Sequence, residues 1–143
     1  MRGLLRCCAV ISAALIVGCS NSTDVRPAPA AKVKIGIDSY YADQEKTQRE
    51  LNDPIGFRVR TAIDEISLDR IDDYVWCYSY HRERTVLVGD AGWEPWASGR
   101  ECMWVDDPGD GSGEFEGLRV EMLTDTQVAH LKEEGKWPSD VPR

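Results

Sequence analysis

Trp93 and Trp96 stand three residues apart around Pro95, with Gly92 and Gly99 on either side. Two indoles on a short, stiffened loop expose apolar area unless they cover the domain or meet a ligand, and the π face of a Trp matches the flat CH surface of a pyranose. The pair is the candidate ligand-binding feature, beside the plainer reading of an aromatic lid over the core. Tyr74, Trp76, Tyr78 and Tyr80 would share one face of a strand, with Cys77 on the other, and such a row builds a core more often than it binds a sugar. Asp106, Asp107, Asp110 and Glu114, interleaved with Gly109, Gly111 and Gly113, superficially resemble a Ca²⁺ loop, but Pro108 occupies a ligand position and Gly117 replaces the closing bidentate Glu. They read as a solvated hairpin turn. His81 and His130 have no partner at HExxH, HxH or Cys-His spacing, and GxSxG, phosphate-loop and dinucleotide fingerprints are absent from the sequence. No catalytic set, metal site or cofactor is expected. Carboxylates are plentiful, but abundance alone does not make an acid-base pair.

The N-terminal segment is an address. Arg2 and Arg6 supply a positive n-region, and Cys7 to Val17 is an uncharged apolar run, too short for the roughly 20 residues that a membrane-spanning helix needs. The run ends in Ile16, Val17, Gly18 and Cys19, and these residues resemble the lipobox of bacterial lipoproteins. The resemblance covers about the first 20 residues. It implies that Cys19 carries a diacylglyceryl group, that a lipoprotein signal peptidase cuts after Gly18, and that the new N-terminus is acylated, palmitate being a typical chain. A plain secretory peptide with Cys at its cleavage site is the other reading of the same residues. One acyl chain binds a bilayer marginally, whereas two or three on one residue anchor durably. Ser20 after the lipid Cys resembles an outer-membrane address under the enterobacterial pattern, so the expected location is the cell membrane or outer membrane, with the mature domain facing outside the cytoplasm.

Export fixes the reading of the cysteines. Cys7 and Cys8 leave with the signal peptide, and Cys77 and Cys102 remain as an even pair in an oxidising space, where a structural disulfide is expected. Their spacing is not CxxC, so nothing points to exchange chemistry.

The chain has 143 residues, 42% of them hydrophobic and 29% charged, which suits one small folded domain. Loss of residues 1–18 removes two Arg and no acid, taking the net charge from -8 to -10. That balance argues against a nucleic-acid partner, because phosphate binding needs a Lys/Arg surface, and it holds the domain off anionic headgroups. Residues 19–31, with Pro27 and Pro29, read as the lipidated Cys and a flexible tether, and residues 32–143 as a single globular domain. Val33, Ile35 and Ile37 alternate as in a strand. Ser39 to Leu51 suits a solvated helix with Glu45 and Arg49 four apart, and Asn52, Asp53 and Pro54 stop it. Phe57, Val59 and Thr61 open another strand. Tyr74 to His81 and Thr85 to Val88 read as a hairpin turning at Arg82, Glu83 and Arg84. Strands follow near Glu101 to Val105 and Phe115 to Leu123, where Leu118, Val120 and Met122 share one face. Thr124 and Gln127 form a capping box for a final helix that Gly135 and Pro138 end. The predicted fold is α+β: a small, mainly antiparallel sheet, a C-terminal helix and one disulfide.

Anchoring without catalytic spacing points to a noncatalytic envelope module that binds a protein or glycan outside the cytoplasmic membrane. A phage-encoded lipoprotein that excludes competing phage resembles this plan in size and topology. The alternatives are a small cell-wall-active enzyme that uses carboxylates with a Trp platform, and a structural spacer. Carboxylates clustered in a cleft beside the indoles would favour the enzyme.

Overall fold

A computed structural model of the chain describes residues 25–52, 58–85 and 92–142. The expected signal segment, Cys19, the Asp53 and Pro54 stop, Phe57 and Val86 to Val88 lie outside the described residues. The fold is α+β and, among the described residues, sets two helices on a curled antiparallel sheet.

The sheet is organised by two long strands, β4 (Val75–Thr85) and β5 (Trp93–Asp107), paired antiparallel from Val75 with Trp104 to Thr85 with Trp93. β2 (Arg58–Ile63) and β3 (Asp69–Asp72) add to the far side of β4. β6 (Arg119–Met122) and the two-residue β1 (Arg26–Pro27) add to β5. Alternation along β4 separates two cores. Trp76, Tyr78 and Tyr80 pack with Met103 and Val105 under helix α1 (Ala30–Asn52), whereas Val75 and Cys77 pack with Cys102 under helix α2 (Asp125–Glu133). Tyr74 departs from the predicted aromatic row, because its ring stacks on Trp104 with centroids 4.9 Å apart.

Cys77 and Cys102 face each other across β4 and β5 and form the disulfide. Both are buried in the α2-side core. The bridge links directly opposed strand positions, where antiparallel side chains come closest.

Several segments differ from the sequence reading. Val33 to Ile37 is helical rather than a strand, because the stripe continues at helical spacing: Val33 and Ile37 are fully buried, Tyr40 and Tyr41 pack on the same core, and Ile35 is 53% exposed. Gly36 lets α1 lie close to the sheet, since an added Cβ would sit 3.0 Å from Leu118 Cδ1. The tether read through residue 31 ends earlier. Arg26 and Pro27 pair with Asp107 and Asp106, Ala28 is buried, and the Pro29 carbonyl accepts the Lys32 N–H in the first turn of α1. Pro suits both places, a strand edge and the entrance to a helix, because neither needs its missing N–H.

The predicted turn at Arg82, Glu83 and Arg84 is continuous strand. Its charges are held by neighbouring strands: Arg60 pairs with Glu83 at 2.6 Å and Arg84 with Glu94 at 2.8 Å. Trp93 to Trp96 is accordingly the start of β5 rather than a loop. Of the acid-rich turn, Asp106 and Asp107 belong to β5. Asp106 is fully buried and accepts hydrogen bonds from Trp104 Nε1 and Arg119. Asp107 and Asp110 each accept a backbone N–H two residues on, from Gly109 and Ser112, which is how Asp stabilises a turn.

The C-terminal helix follows the reading closely. The Thr124 side chain accepts the Gln127 N–H, and Gln127 reaches back to the Thr124 N–H. Leu123, Val128 and Leu131 are buried together, and Gly135 leaves the helix at φ +70°.

Candidate functional site

The core row on β4 ends in a charged residue. Tyr78 and Tyr80 point toward α1, and two positions on Arg82 does the same. On β5 the α1-facing positions are Glu101, Met103 and Val105, so Glu101 comes up beside Tyr78, its register partner. Arg82 Nη2 donates to both carboxylate oxygens of Glu101, at 2.8 and 3.0 Å, and Arg82 Nε donates to Thr61 Oγ1 at 3.2 Å. The guanidinium lies 4.0 Å from the Tyr80 ring centre and 5.7 Å from that of Tyr41, which holds it by cation-π attraction. The Tyr78 hydroxyl donates to Glu101 at 3.1 Å and lies 2.6 Å from the Tyr41 hydroxyl, which also donates to Glu101.

Burial sets the protonation of this cluster. It pushes the Glu101 carboxyl up to about 7, against the pull of the facing guanidinium and phenols. Burial also raises Tyr78, and it raises Tyr40 with a smaller contribution from the Glu101 charge.

Above the cluster is a groove of about 380 Å³ between α1 and the sheet. Tyr40, Tyr41, Gln44 and Gln48 line it from the helix, and Thr61, Arg82, Trp96 and Glu101 from the strands. Val59 and Met122 complete it. Gln48 Oε1 accepts the Val59 N–H at 3.0 Å, so the helix caps the outer edge of β2. Trp96 reaches the groove through a β-bulge: Arg82 pairs with Ala97 and Glu83 with Pro95, which leaves Trp96 as the extra residue. A bulge re-aims a side chain out of strict alternation. The indole is 48% exposed.

Trp93 is elsewhere. Arg60 lies 4.4 Å above its ring and pairs with Glu83, so the two tryptophans do not form one platform. A second hollow, about 640 Å³, runs along β2, β4 and β5 past Arg60, His81, Glu83 and Ser98, and Trp96 lines it as well. It is the larger of the two, but it lacks the buried carboxyl set against phenols that the groove has in Glu101, Tyr41 and Tyr78. His130 is on α2, 3.4 Å from Glu134. Of the sequence candidates, the structure therefore brings Trp96 to the groove and places Trp93 apart. Among the described residues, no group of three His, Cys, Asp or Glu side chains is placed to hold a metal ion, and no helix is long and apolar enough to cross a membrane.

Arg82, Glu101, Tyr41, Gln44 and Gln48 did not stand out in the sequence. A signal for Glu101 was present: it continues the alternation of Met103 and Val105 into the core, and an acid on a core-facing strand position needs a partner. No family model, curated protein or solved structure matches the chain.

Proposed function

We propose that this protein is a lipid-anchored envelope module, held through Cys19, that binds a glycan outside the cytoplasmic membrane in the groove at Trp96. The observation that carries the reading is the bulge that turns a half-exposed indole over a floor of hydrogen-bonding groups, since sugar recognition combines an aromatic face with polar groups of fixed direction. Glu101 is the one carboxylate among the described groove residues, whereas two-carboxylate glycoside hydrolysis needs a partner acid across the bond. A binding role is therefore favoured over the cell-wall enzyme.

The strand geometry suits an anchor at the N-terminus. Arg26 pairs with Asp107 at one end of β5, and Trp96 lies eleven residues along the same strand, roughly 35 Å at about 3.3 Å per residue. The seven residues from Cys19 to Arg26 reach at most about 25 Å. A lipid on Cys19 thus keeps the base of the sheet near the bilayer and presents the groove away from it.

Two measurements test this. Metabolic labelling with a fatty-acid probe is expected to mark the intact protein and to be lost, with membrane retention, in Cys19→Ser. Unlabelled wild-type protein would remove the anchor. For the groove, residues 19–143 are screened on a glycan array, and Trp96→Ala is expected to weaken the hits about 10-fold or more, the worth of roughly 1.4 kcal/mol. Equal binding by the variant would remove the groove from the account.

A further inference from the structure

We infer that the groove selects glycans carrying N-acetylated amino sugars, an inference that rests on the glycan reading above and names the sugar class. The selecting groups are Gln44 and Gln48, one helical turn apart on α1 and both lining the groove. Because Gln48 Oε1 is committed to the Val59 N–H, its amide orientation is set by that bond, and its NH₂ is left as a donor for the groove. Gln44 is solvent-exposed and offers an amide carbonyl as well as an NH₂. An acetamido group is complementary to such a pair: its carbonyl accepts from Gln48, and its N–H donates to Gln44.

The rest of the groove completes the match. Val59, on the strand that Gln48 bonds, gives the acetyl methyl an apolar surface, while Trp96, 48% exposed, lines the same groove with an indole suited to the CH side of a pyranose ring. Arg82 and Glu101 face each other in the floor, which leaves no excess of acid there to hold a cationic sugar. At about 380 Å³ the groove is near the small end of ligand pockets, which run from about 300 to 1,000 Å³. That size suits a short glycan segment.

The test uses the mature chain and three sugars of the same length and linkage: tri-N-acetylchitotriose, its de-N-acetylated counterpart and cellotriose. Affinities are measured by calorimetry and tryptophan fluorescence at 150 mM salt. The acetylated trimer is expected to bind at least 10-fold more tightly than either of the others. Gln48→Glu keeps an oxygen for the Val59 N–H but removes the NH₂ donor. It is expected to erase most of that preference while leaving thermal unfolding unchanged. Equal affinity for the acetylated trimer and cellotriose, or a preference for the cationic trimer, overturns the inference and leaves the groove as a glycan site. The same holds if the three trimers fail to bind and the array yields only sugars without an acetamido group. Silence toward the trimers and the whole array removes the glycan reading, and the inference falls with it.

Discussion

Replacing Arg82 with Ala is expected to cost the domain about 1.4 kcal/mol more at pH 8 than at pH 5. Without the guanidinium the buried Glu101 carboxyl takes up a proton rather than stay charged, and holding that proton one pH step above its wild-type value of about 7 sets the size of the difference. The pH dependence follows from the carboxyl, which burial raises from 4.5 to about 7 in the folded state. Between those values the folded protein binds a proton that the unfolded chain has released, so stability is highest below about pH 4.5 and falls as pH rises toward 7. The fall is at most roughly 3 kcal/mol, on about 1.4 kcal/mol for each pH step. Without Arg82 the carboxylate loses its facing charge, so the fall deepens and extends to higher pH. Glu101→Gln cannot ionise and is expected to flatten the profile. Asp110 and Asp140 act in another range: hydrogen bonds from Ser112 and Arg100 hold them below 3.8, so their contribution is lost only as pH falls further. Urea titrations at pH 5 and 8 decide the matter. Equal losses at the two values would show that Arg82 contributes packing rather than charge.

Removal of the disulfide is the second large effect. The Cys77→Ala, Cys102→Ala double variant is expected to lose about 3.5 kcal/mol, the loop-closure entropy of a 25-residue separation. For a domain of this size that corresponds to a drop of roughly 10–15 °C in Tm. Wild type in strong reductant should melt close to the variant, and unreduced wild type should resist thiol alkylation even when unfolded, since both sulfurs are held in the bridge. A melting point insensitive to reductant would mean that the bridge contributes nothing measurable.

Much of the fold was legible where neighbouring residues decide it. The capping box at Thr124 and Gln127 works through contacts within one turn, and the alternation of Trp76, Tyr78 and Tyr80 around Cys77 appears unchanged in the two cores. The reading failed where two periods fit the same residues. Val33 and Ile37 satisfy both a strand and a helix, and burial of Tyr40 and Tyr41 on the same core chose the helix. It failed again at Arg82, Glu83 and Arg84, where a polar run looks like a turn until Arg60 and Glu94 are seen opposite it.

The candidate site was half legible. Trp96 drew notice through its residue type, but as one of a pair in a loop, and only the bulge between β4 and β5 shows that it turns from Trp93 toward α1. Glu101, Arg82, Tyr41 and Tyr78 form a cluster assembled from α1, β4 and β5, with Tyr41 and Glu101 60 residues apart. What the amino-acid order determined alone was therefore what one turn, one strand or an even cysteine count can specify: the α+β class, the C-terminal helix and the disulfide partners. Tertiary structure decided the groove and the raised carboxyl, because strand register and burial depend on groups brought together from distant parts of the chain, and no local pattern of residues contains them.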